Sequence, residues 1–418
     1  FSWRASCMTL AKTTRLASGR TIAMVAVPGG RTAAVGLCAG AGARHEAEPE
    51  NGLAHLFEHM LFKGTELRDA RGLAEAIEDV GGALNAWTSR DLTLFHARVM
   101  AADMPLAVEL LAEMVMQPRF AEADLALEKQ VVDAEIREAL DAAEDRVFDL
   151  LQEAAFPGQP LGRPILGTPA TLAALGTEAL RHWRDRSFRG PGLALVAAGA
   201  VTHADVVAAA APLFAALPAK PPPACAPARF EGEVRGERRR ADVTQVALGF
   251  RGPGVHAPDH YAAELFTTAL GGGASSRLFQ ELREARGLAY SVSASHAPFA
   301  DLGLMTIHLA TRPEDAERAA ALAREVAEAT AATLSEAELA RARTQLKAGL
   351  LMGLEGCAGQ ASWVGQTLLA HGRAVPPEEV EAAIDGVTVE AARAAGAAML
   401  QGPVALASVG PKPLKRLP

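Results

Sequence analysis

The feature that most constrains the fold of this chain is an internal repeat on the two sides of a proline-rich segment. Residues 217–229 contain five prolines, so this segment cannot continue a helix or a central strand. Both flanking halves show helical stretches, a glycine turn, two strand-like runs, further long helical stretches and a final small apolar strand. The strand-like runs are 84–89, 93–100 and 193–198 in the first half and 289–294, 303–310 and 404–409 in the second. The sequence therefore predicts two similar domains, 1–216 and 230–418, joined by the linker 217–229.

The short turns between neighbouring strand runs indicate the fold class. Residues 21–27 and 32–38 are separated only by Pro28–Arg31, which is typical of a strand hairpin. Alternating strands and helices around a parallel sheet would need longer connections. Half of the 418 residues are hydrophobic, which is enough for a sizeable core in each domain. We expect an α+β fold in which each domain is a mostly antiparallel sheet packed with helices.

Charge and cysteine content exclude several classes of protein. The chain has 41 Lys and Arg against 49 Asp and Glu, and this net charge of −8 argues against a nucleic-acid binder. No apolar run approaches the roughly 18 residues of a membrane span, and none resembles a signal-peptide core. The four cysteines, Cys7, Cys38, Cys225 and Cys357, form no CxxC pair, which excludes a thiolate zinc finger. We expect four free thiols in a reducing compartment. A bacterial cytoplasm is favoured over an organellar matrix or a periplasm. Residues 1–8 are uninformative.

The segment 51–65, NGLAHLFEHMLFKGT, carries the residues best suited to chemistry. His55 and His59 are four positions apart, so on a helix both imidazoles lie on one face and can bind one Zn²⁺. Glu58 reaches the same face without having to bind the metal. A carboxylate in that place can take the proton of a water whose pKa zinc lowers. The pattern H-x-x-E-H is a known metalloprotease signature.

A histidine on a helix is more often structural, so the H-x-x-E-H pattern needs support from a third ligand. A catalytic zinc typically has three protein ligands and a water. The carboxylate-rich stretch 128–138 offers Glu135, which follows His59 by 76 residues, and Glu128, two helical turns earlier on the same face. Chemistry alone does not choose between these acids, which are ordinary solvated side chains in the simplest interpretation. Three further acids are equally available: Glu122, Glu138 and Glu144.

These segments resemble the pitrilysin-type, or inverzincin, metallopeptidases, a family that includes the mitochondrial processing peptidase and insulin-degrading enzyme. In that family, H-x-x-E-H is followed about 76 residues later by a glutamate ligand in an E-x-x-V-x-x-x-E-like run, which here is EKQVVDAE at 128–135. The resemblance implies that Glu135 completes the zinc site and that Glu128 orients a ligand.

Further motifs extend the resemblance over residues 12 to 410. The run 81–88 looks like the family's substrate-binding edge strand, which implies that Asn85 and Ala86 contact the substrate. Residues 161–168, LGRPILGT, look like a loop of the same sequence in the family.

The second half carries an arginine–tyrosine pair seven residues apart, within 271–292. Arg283 and Tyr290 hold these places, with Arg286 close by. The resemblance implies that they bind substrate near the scissile carbonyl. Their chemistry agrees with this role, because a guanidinium can donate hydrogen bonds to a carbonyl and a phenol can donate to an oxyanion.

The repeat gives an internal comparison for the metal site. The second-half positions that match His55, Glu58, His59 and Glu135 are Glu264, Thr267, Thr268 and Gly349. The second half therefore has no copy of the motif, and we expect one zinc per chain. His256 and His260 form the other spaced pair, but two nearby prolines argue against a helical metal site there.

The resemblance implies a zinc endopeptidase that cuts extended peptides or presequences in a closed chamber, with Glu58 as general base. The substrate is expected to add as a strand beside Asn85 and Ala86. Relatives of this size pair two chains, which implies a homodimer or a heterodimer with a related chain, with Arg283 and Tyr290 reaching the partner's zinc. The alternative is a non-catalytic scaffold or core subunit, but such relatives usually lose ligands that are present here.

Overall fold

The computed structural model describes residues 11–215 and 224–418. Residues 1–8 and most of the predicted linker, up to residue 223, lie outside the described residues. Residues 224–229 form no helix or strand.

The strands of the described residues fall into two sheets. The first sheet contains β1 (Lys12–Arg15), β2 (Thr21–Ala26), β3 (Thr32–Ala39), β4 (Ala83–Thr88), β5 (Thr93–Met100) and β6 (Leu193–Gly199), in the order β1-β2-β6-β3-β5-β4. The second contains β7 (Val234–Arg238), β8 (Thr244–Gly252), β9 (Ser291–Pro298), β10 (Gly303–Thr311) and β11 (Val404–Gly410), in the order β7-β11-β8-β10-β9. One pair in each sheet is parallel, β2 with β6 and β7 with β11, and the other pairs are antiparallel. The predicted α+β class with two similar, mostly antiparallel sheets is confirmed.

The described residues also form α-helices. In the first half of the chain they are α1 (Leu53–Leu61), α2 (Ala70–Glu78), α3 (Met104–Met116), α4 (Glu122–Asp141), α5 (Ala143–Ala155), α6 (Pro169–Ala174), α7 (Thr177–Ser187) and α8 (His203–Phe214). In the second half they are α9 (His260–Gly271), α10 (Ala316–Thr333), α11 (Glu336–Gly353), α12 (Cys357–His371), α13 (Pro377–Asp385) and α14 (Val389–Leu400). Within the described residues, no helix is long and apolar enough to cross a membrane.

The predicted hairpin of residues 21–27 and 32–38 is wrong. Both runs are strands, β2 and β3, but β6 lies between them and pairs with each. Every residue of β6 is buried, so this late strand needs a neighbour on both edges and cover on both faces. The place between two other apolar strands provides this burial, and local sequence gives no signal for it.

The two compact units of the chain are not its contiguous halves. The first unit contains residues up to Ala134, Ile165–Cys225 and Leu350–Glu379, and the second contains Glu135–Pro164, Ala226–Gly349 and Val380–Pro418. The division thus differs from the expected domains 1–216 and 230–418, because each unit takes one segment from the opposite half of the chain. The first boundary falls inside the continuous helix α4.

The exchanged segments carry helices that complete the two cores. In the second unit, Val147 and Leu151 of α5 are buried against Ala247 of β8 and Ala407 of β11. In the first unit, α12 packs on β3 and β6. Each helix buries its apolar face against a sheet made by the other half of the chain. This burial stabilises the fold and accounts for the division into non-contiguous units.

Candidate metal centre

Helix α1 presents the H-x-x-E-H residues on the one face that the core leaves open. Its sequence LAHLFEHML places six apolar residues in the interior: Leu53, Ala54, Leu56, Phe57, Met60 and Leu61. His55, Glu58 and His59 are half-buried on the remaining face. The helical period that buries the apolar side therefore also groups the three polar side chains.

The start of α1 is held by a buried carboxylate that the sequence reasoning missed. Gly52, in the left-handed region at φ +94, offers no side-chain cap. Instead, Glu46 Oε2 accepts from Gly52 N at 3.0 Å and from Asn51 Nδ2 at 3.1 Å, and Glu46 Oε1 accepts from Ala54 N at 2.7 Å. Glu46 is only 3% exposed. A negative charge at this place satisfies helix N–H groups and is favoured by the helix dipole, so Glu46 fixes where the helix begins.

The LGRPILGT loop supports the same helix end through a close backbone approach. A Cβ on Gly52 would lie 2.7 Å from Leu166 O, and a Cβ on Gly167 would lie 2.5 Å from Asn51 O. Gly167 has φ +77, which also favours glycine. The loop noted in the sequence thus packs directly against the residues that precede the histidines.

The predicted ligands lie together in the structure. One ligand atom from each of His55, His59 and Glu135 lies within 4.8 Å of the other two, and the two imidazole centroids are 4.6 Å apart. Glu135 is on α4, the helix predicted from its carboxylate-rich run. Two imidazoles and one carboxylate are a donor set of catalytic zinc sites, so the chemistry of these residues fits zinc. Their function as ligands stays a prediction.

Glu128 contacts one of the two histidines directly. Its Oε2 atom lies 3.0 Å from His59 Nδ1, and its Oε1 atom lies 2.6 Å from Lys63 Nζ. A carboxylate at Nδ1 favours the tautomer that carries its proton there, which leaves His59 Nε2 to bind a metal. Glu128 therefore lies where a ligand-orienting carboxylate was expected.

Burial controls the charge of the other histidine. Desolvation, helped by the neighbouring charge of His59, lowers the pKa of His55 to about 4. His55 is therefore neutral near pH 7, which is the form that binds metal ions.

Glu58 is connected to the predicted substrate strand. Thr88, the last residue of β4, donates its hydroxyl to Glu58 Oε2 at 2.5 Å. This hydrogen bond holds one carboxylate oxygen in place. The contribution of Thr88 was not predicted, although the residue lies in the 81–88 motif.

Asn85 and Ala86 lie on an edge strand, as the sequence motif implied. β4 is the last strand of the first sheet and has β5 as its neighbour. The outer side of such a strand presents backbone groups that can pair with an added strand. Ala86 N donates to Asn85 Oδ1 at 2.8 Å.

Arg283 and Tyr290 belong to the second unit. Arg283 lies in a π-helical turn, Phe279–Glu284, with its guanidinium 4.8 Å from the Phe279 ring centroid. Tyr290 precedes β9 and is 60% exposed. The neighbouring Arg286 pairs with Glu281. A role of Arg283 and Tyr290 toward substrate stays a prediction.

Comparison with known proteins extends over nearly the whole chain. The sequence model of the insulinase family, peptidase family M16, matches residues 21–169, and that of the peptidase M16 inactive domain matches residues 174–346. An uncharacterized zinc protease of Mycobacterium tuberculosis is 35% identical over 410 residues, which cover 96% of this chain and 94% of that protein. A probable mitochondrial-processing peptidase subunit beta of Arabidopsis thaliana is 32% identical over 416 residues, covering 96% and 78%.

Solved structures show the same fold. A crystal structure of a peptidase M16 inactive domain from Pseudomonas fluorescens has a TM-score of 0.88 at 23% identity and covers 96% of this chain and 98% of its own. A protease from Helicobacter pylori has a TM-score of 0.87 at 18% identity and covers 97% and 100%. The resemblance expected from the sequence motifs is confirmed. The chain is a two-domain member of peptidase family M16, the insulinase or pitrilysin-type family.

Proposed function

We propose that this chain is a zinc-dependent endopeptidase that hydrolyses extended peptides or presequences. The observation that carries the proposal is the grouping of His55, His59 and Glu135 beside Glu58, which shares the open face of α1 with the two histidines. The peptidase family and the relatives named zinc proteases support it. When bound at such a site, zinc polarises a carbonyl and lowers the pKa of a water.

Glu58 is the proposed general base. The Thr88 hydroxyl donates to its Oε2 atom and so helps to hold the carboxylate in place for the attacking water. The carboxylate takes the proton of this water as the peptide carbonyl is attacked, and it then holds that proton for the leaving amine. Glu128 keeps His59 in one tautomer throughout, and Glu135 supplies the negative charge of the ligand set.

The substrate is proposed to lie extended along β4. Backbone pairing with the outer side of Asn85 and Ala86 would give affinity with little demand on side-chain sequence. We assign Arg283 and Tyr290 to the scissile carbonyl, in a closed chamber formed by two paired chains, either two copies or this chain and a related one. In that arrangement the two residues serve the partner's zinc.

A scaffold without activity is the alternative function. The name of the second matched domain, an inactive domain, favours it for residues 174–346. The H-x-x-E-H motif lies outside that range, in the domain matched by the insulinase model, and it is intact. We therefore favour the enzyme.

A peptide-library digestion with metal analysis tests the proposal. Glu58→Gln is expected to keep zinc and to lower kcat/KM by about 10²–10⁴-fold, whereas Glu135→Gln is expected to lose zinc. Glu138→Gln is the matched control, because Glu138 is an exposed acid of the same helix, three residues after Glu135. Near-normal turnover by Glu58→Gln would remove Glu58 from the mechanism. A wild-type chain that binds zinc and cuts no peptide would establish the scaffold function.

A mixed dimer tests whether sites are shared. Glu58→Gln and Tyr290→Phe chains are each expected to be inactive alone. If Tyr290 serves the partner's zinc, random mixing restores about one site in four, because half of the dimers are mixed and each of these has one intact site. No recovery in dimers shown to be mixed would mean that Tyr290 acts within its own chain.

A further inference from the structure

We propose that the second unit binds a second divalent metal ion through His260, Glu264 and His296. One ligand atom from each of the three lies within 4.8 Å of the other two, the same limit that His55, His59 and Glu135 meet. Among the described residues, these are the two groups of His, Cys, Asp and Glu that satisfy this geometry. The second group lies wholly within the second unit.

The three side chains come from two packed elements. His260 and Glu264 are four residues apart on α9, so they share one face of this helix, as His55 and His59 do on α1. His296 comes from β9, the edge strand of the second sheet, against which α9 packs. The Glu264 side chain is 22% exposed and the His296 side chain is fully buried. An ion could therefore enter from solvent beside Glu264 and would join the first turn of α9 to the edge strand.

Two glycines determine which nitrogen of His296 faces the ion. Gly252 of β8 and Gly303 of β10 lie opposite each other, and a Cβ on Gly252 would lie 2.5 Å from His296 Nε2. A Cβ on Gly303 would lie even closer to this atom. The ring thus fills a space that only glycine leaves open, with Nε2 turned to the sheet. Nδ1 faces Glu264 Oε1 at 2.9 Å, so Nδ1 is the nitrogen available to a metal.

The donor set selects the class of metal. Two imidazoles and one carboxylate suit zinc and its transition-metal neighbours, whereas Mg²⁺ and Ca²⁺ prefer oxygen ligands. Tetrahedral zinc with bonds of about 2.0–2.2 Å needs ligand atoms about 3.3 Å apart. His296 and Glu264 are already closer than this. His260 is the side chain that must move to reach this spacing. Its ring centroid is 5.9 Å from that of His296, and the residue is half-buried at the helix start.

This site is not a copy of the first one. Glu264 occupies the repeat position of His55, and the helix pair lies one turn earlier than in α1. The sequence argued against a metal site at His256 and His260 because of the nearby prolines. These prolines precede α9, and His260 is the first residue of this helix, so the residue that shares its helix face is Glu264. With this site filled, the expected one zinc per chain becomes two.

Zinc titration of a chain without the first site tests the proposal. The background is the full chain with His55→Ala and His59→Ala, prepared metal-free and titrated with ZnCl₂ by calorimetry. One zinc per chain is expected to bind, and to raise the Tm, because the ion binds the folded state. Adding Glu264→Gln or His260→Ala is expected to weaken zinc binding at least tenfold. The matched control is His256→Ala, an exposed histidine four residues before His260, and it should leave the affinity unchanged.

The isosteric Glu264→Gln change keeps the test valid if another variant fails to fold, and circular dichroism checks each fold. No zinc bound by the background chain would overturn the proposal. Binding that Glu264→Gln and His260→Ala both leave unchanged would do the same, and Glu264 and His296 would then be a hydrogen-bonded pair only.

Discussion

Because Glu46 is buried and accepts three hydrogen bonds, we expect the loss of its charge to lower the stability of the fold strongly. Glu46→Gln keeps the side-chain size but turns one acceptor oxygen into an amide NH₂ donor. Oε2 accepts from Gly52 N and Asn51 Nδ2, and Oε1 accepts from Ala54 N. Whichever oxygen is replaced, at least one helix N–H then faces a donor instead of an acceptor.

The magnitude follows from these contacts. A hydrogen bond to a charged group contributes about 1.5–3 kcal/mol, and a charge at a helix N-terminus adds about 0.3–1 kcal/mol. The neutral amide also avoids the cost of burying a charge, which opposes the loss. We therefore expect Glu46→Gln to lower the free energy of unfolding by about 2–3 kcal/mol. For a unit of this size, that corresponds to a fall in Tm of about 4–12 °C.

Differential scanning calorimetry of the full chain in metal-free buffer measures this shift. Glu48→Gln is the control, because Glu48 is exposed two residues away, and its Tm should change by no more than about 2 °C. Hydrogen exchange localises the effect, since the amides of Gly52 and Ala54 should lose protection before the rest of the first unit. A Glu46→Gln chain that melts within 1–2 °C of wild type (roughly the effect of an ordinary surface change) would refute the claim that this carboxylate holds α1.

Two further predictions concern other carboxylates. Glu128→Gln should weaken zinc binding about 10–100-fold while leaving the three ligands in place, because His59 loses its anionic partner; equal affinity in a competition titration would contradict this. Glu338 accepts hydrogen bonds from Arg277, which lower its pKa to about 2 from an ordinary 4.5. Because the folded-state pKa is the lower one, this stabilisation is complete above pH 4.5 and is lost as the pH falls toward 2. The two side chains are about a quarter exposed, so the ion pair contributes about 1 kcal/mol to the free energy of unfolding. Glu338→Gln should therefore flatten the acid-unfolding profile in that pH range. Parallel wild-type and variant profiles would show that the pair does not stabilise the fold.

The sequence predicted the local elements because their patterns are local. The run 93–100 matches β5, and the runs 303–310 and 404–409 match β10 and β11 within one residue. Short apolar runs bounded by turn residues can be recognised without knowledge of distant neighbours. The grouping of His55, Glu58 and His59 on one helix face followed from the helical period in the same way.

The failures concern long-range choices. An apolar face on α5 or α12 indicates that the helix is buried, but it does not indicate which sheet covers it. The insertion of β6 between β2 and β3 has the same origin. Glu135 was selected by family resemblance, since several acids of α4 were chemically equal. Glu46 lies six residues before the Gly52 cap position, outside the positions at which a capping side chain is usually sought.

Because α5 and α12 each pack on the sheet of the other half of the chain, the two halves are poor candidates for separate expression. A fragment ending at residue 216 would carry α5 without the sheet it covers and would leave Cys38 and Val196 of its own sheet bare where α12 belongs. The complementary fragment would have the opposite defects. Neither piece is then a self-sufficient folding unit, and soluble material is expected only when both are produced together, so that each supplies the layer that the other lacks.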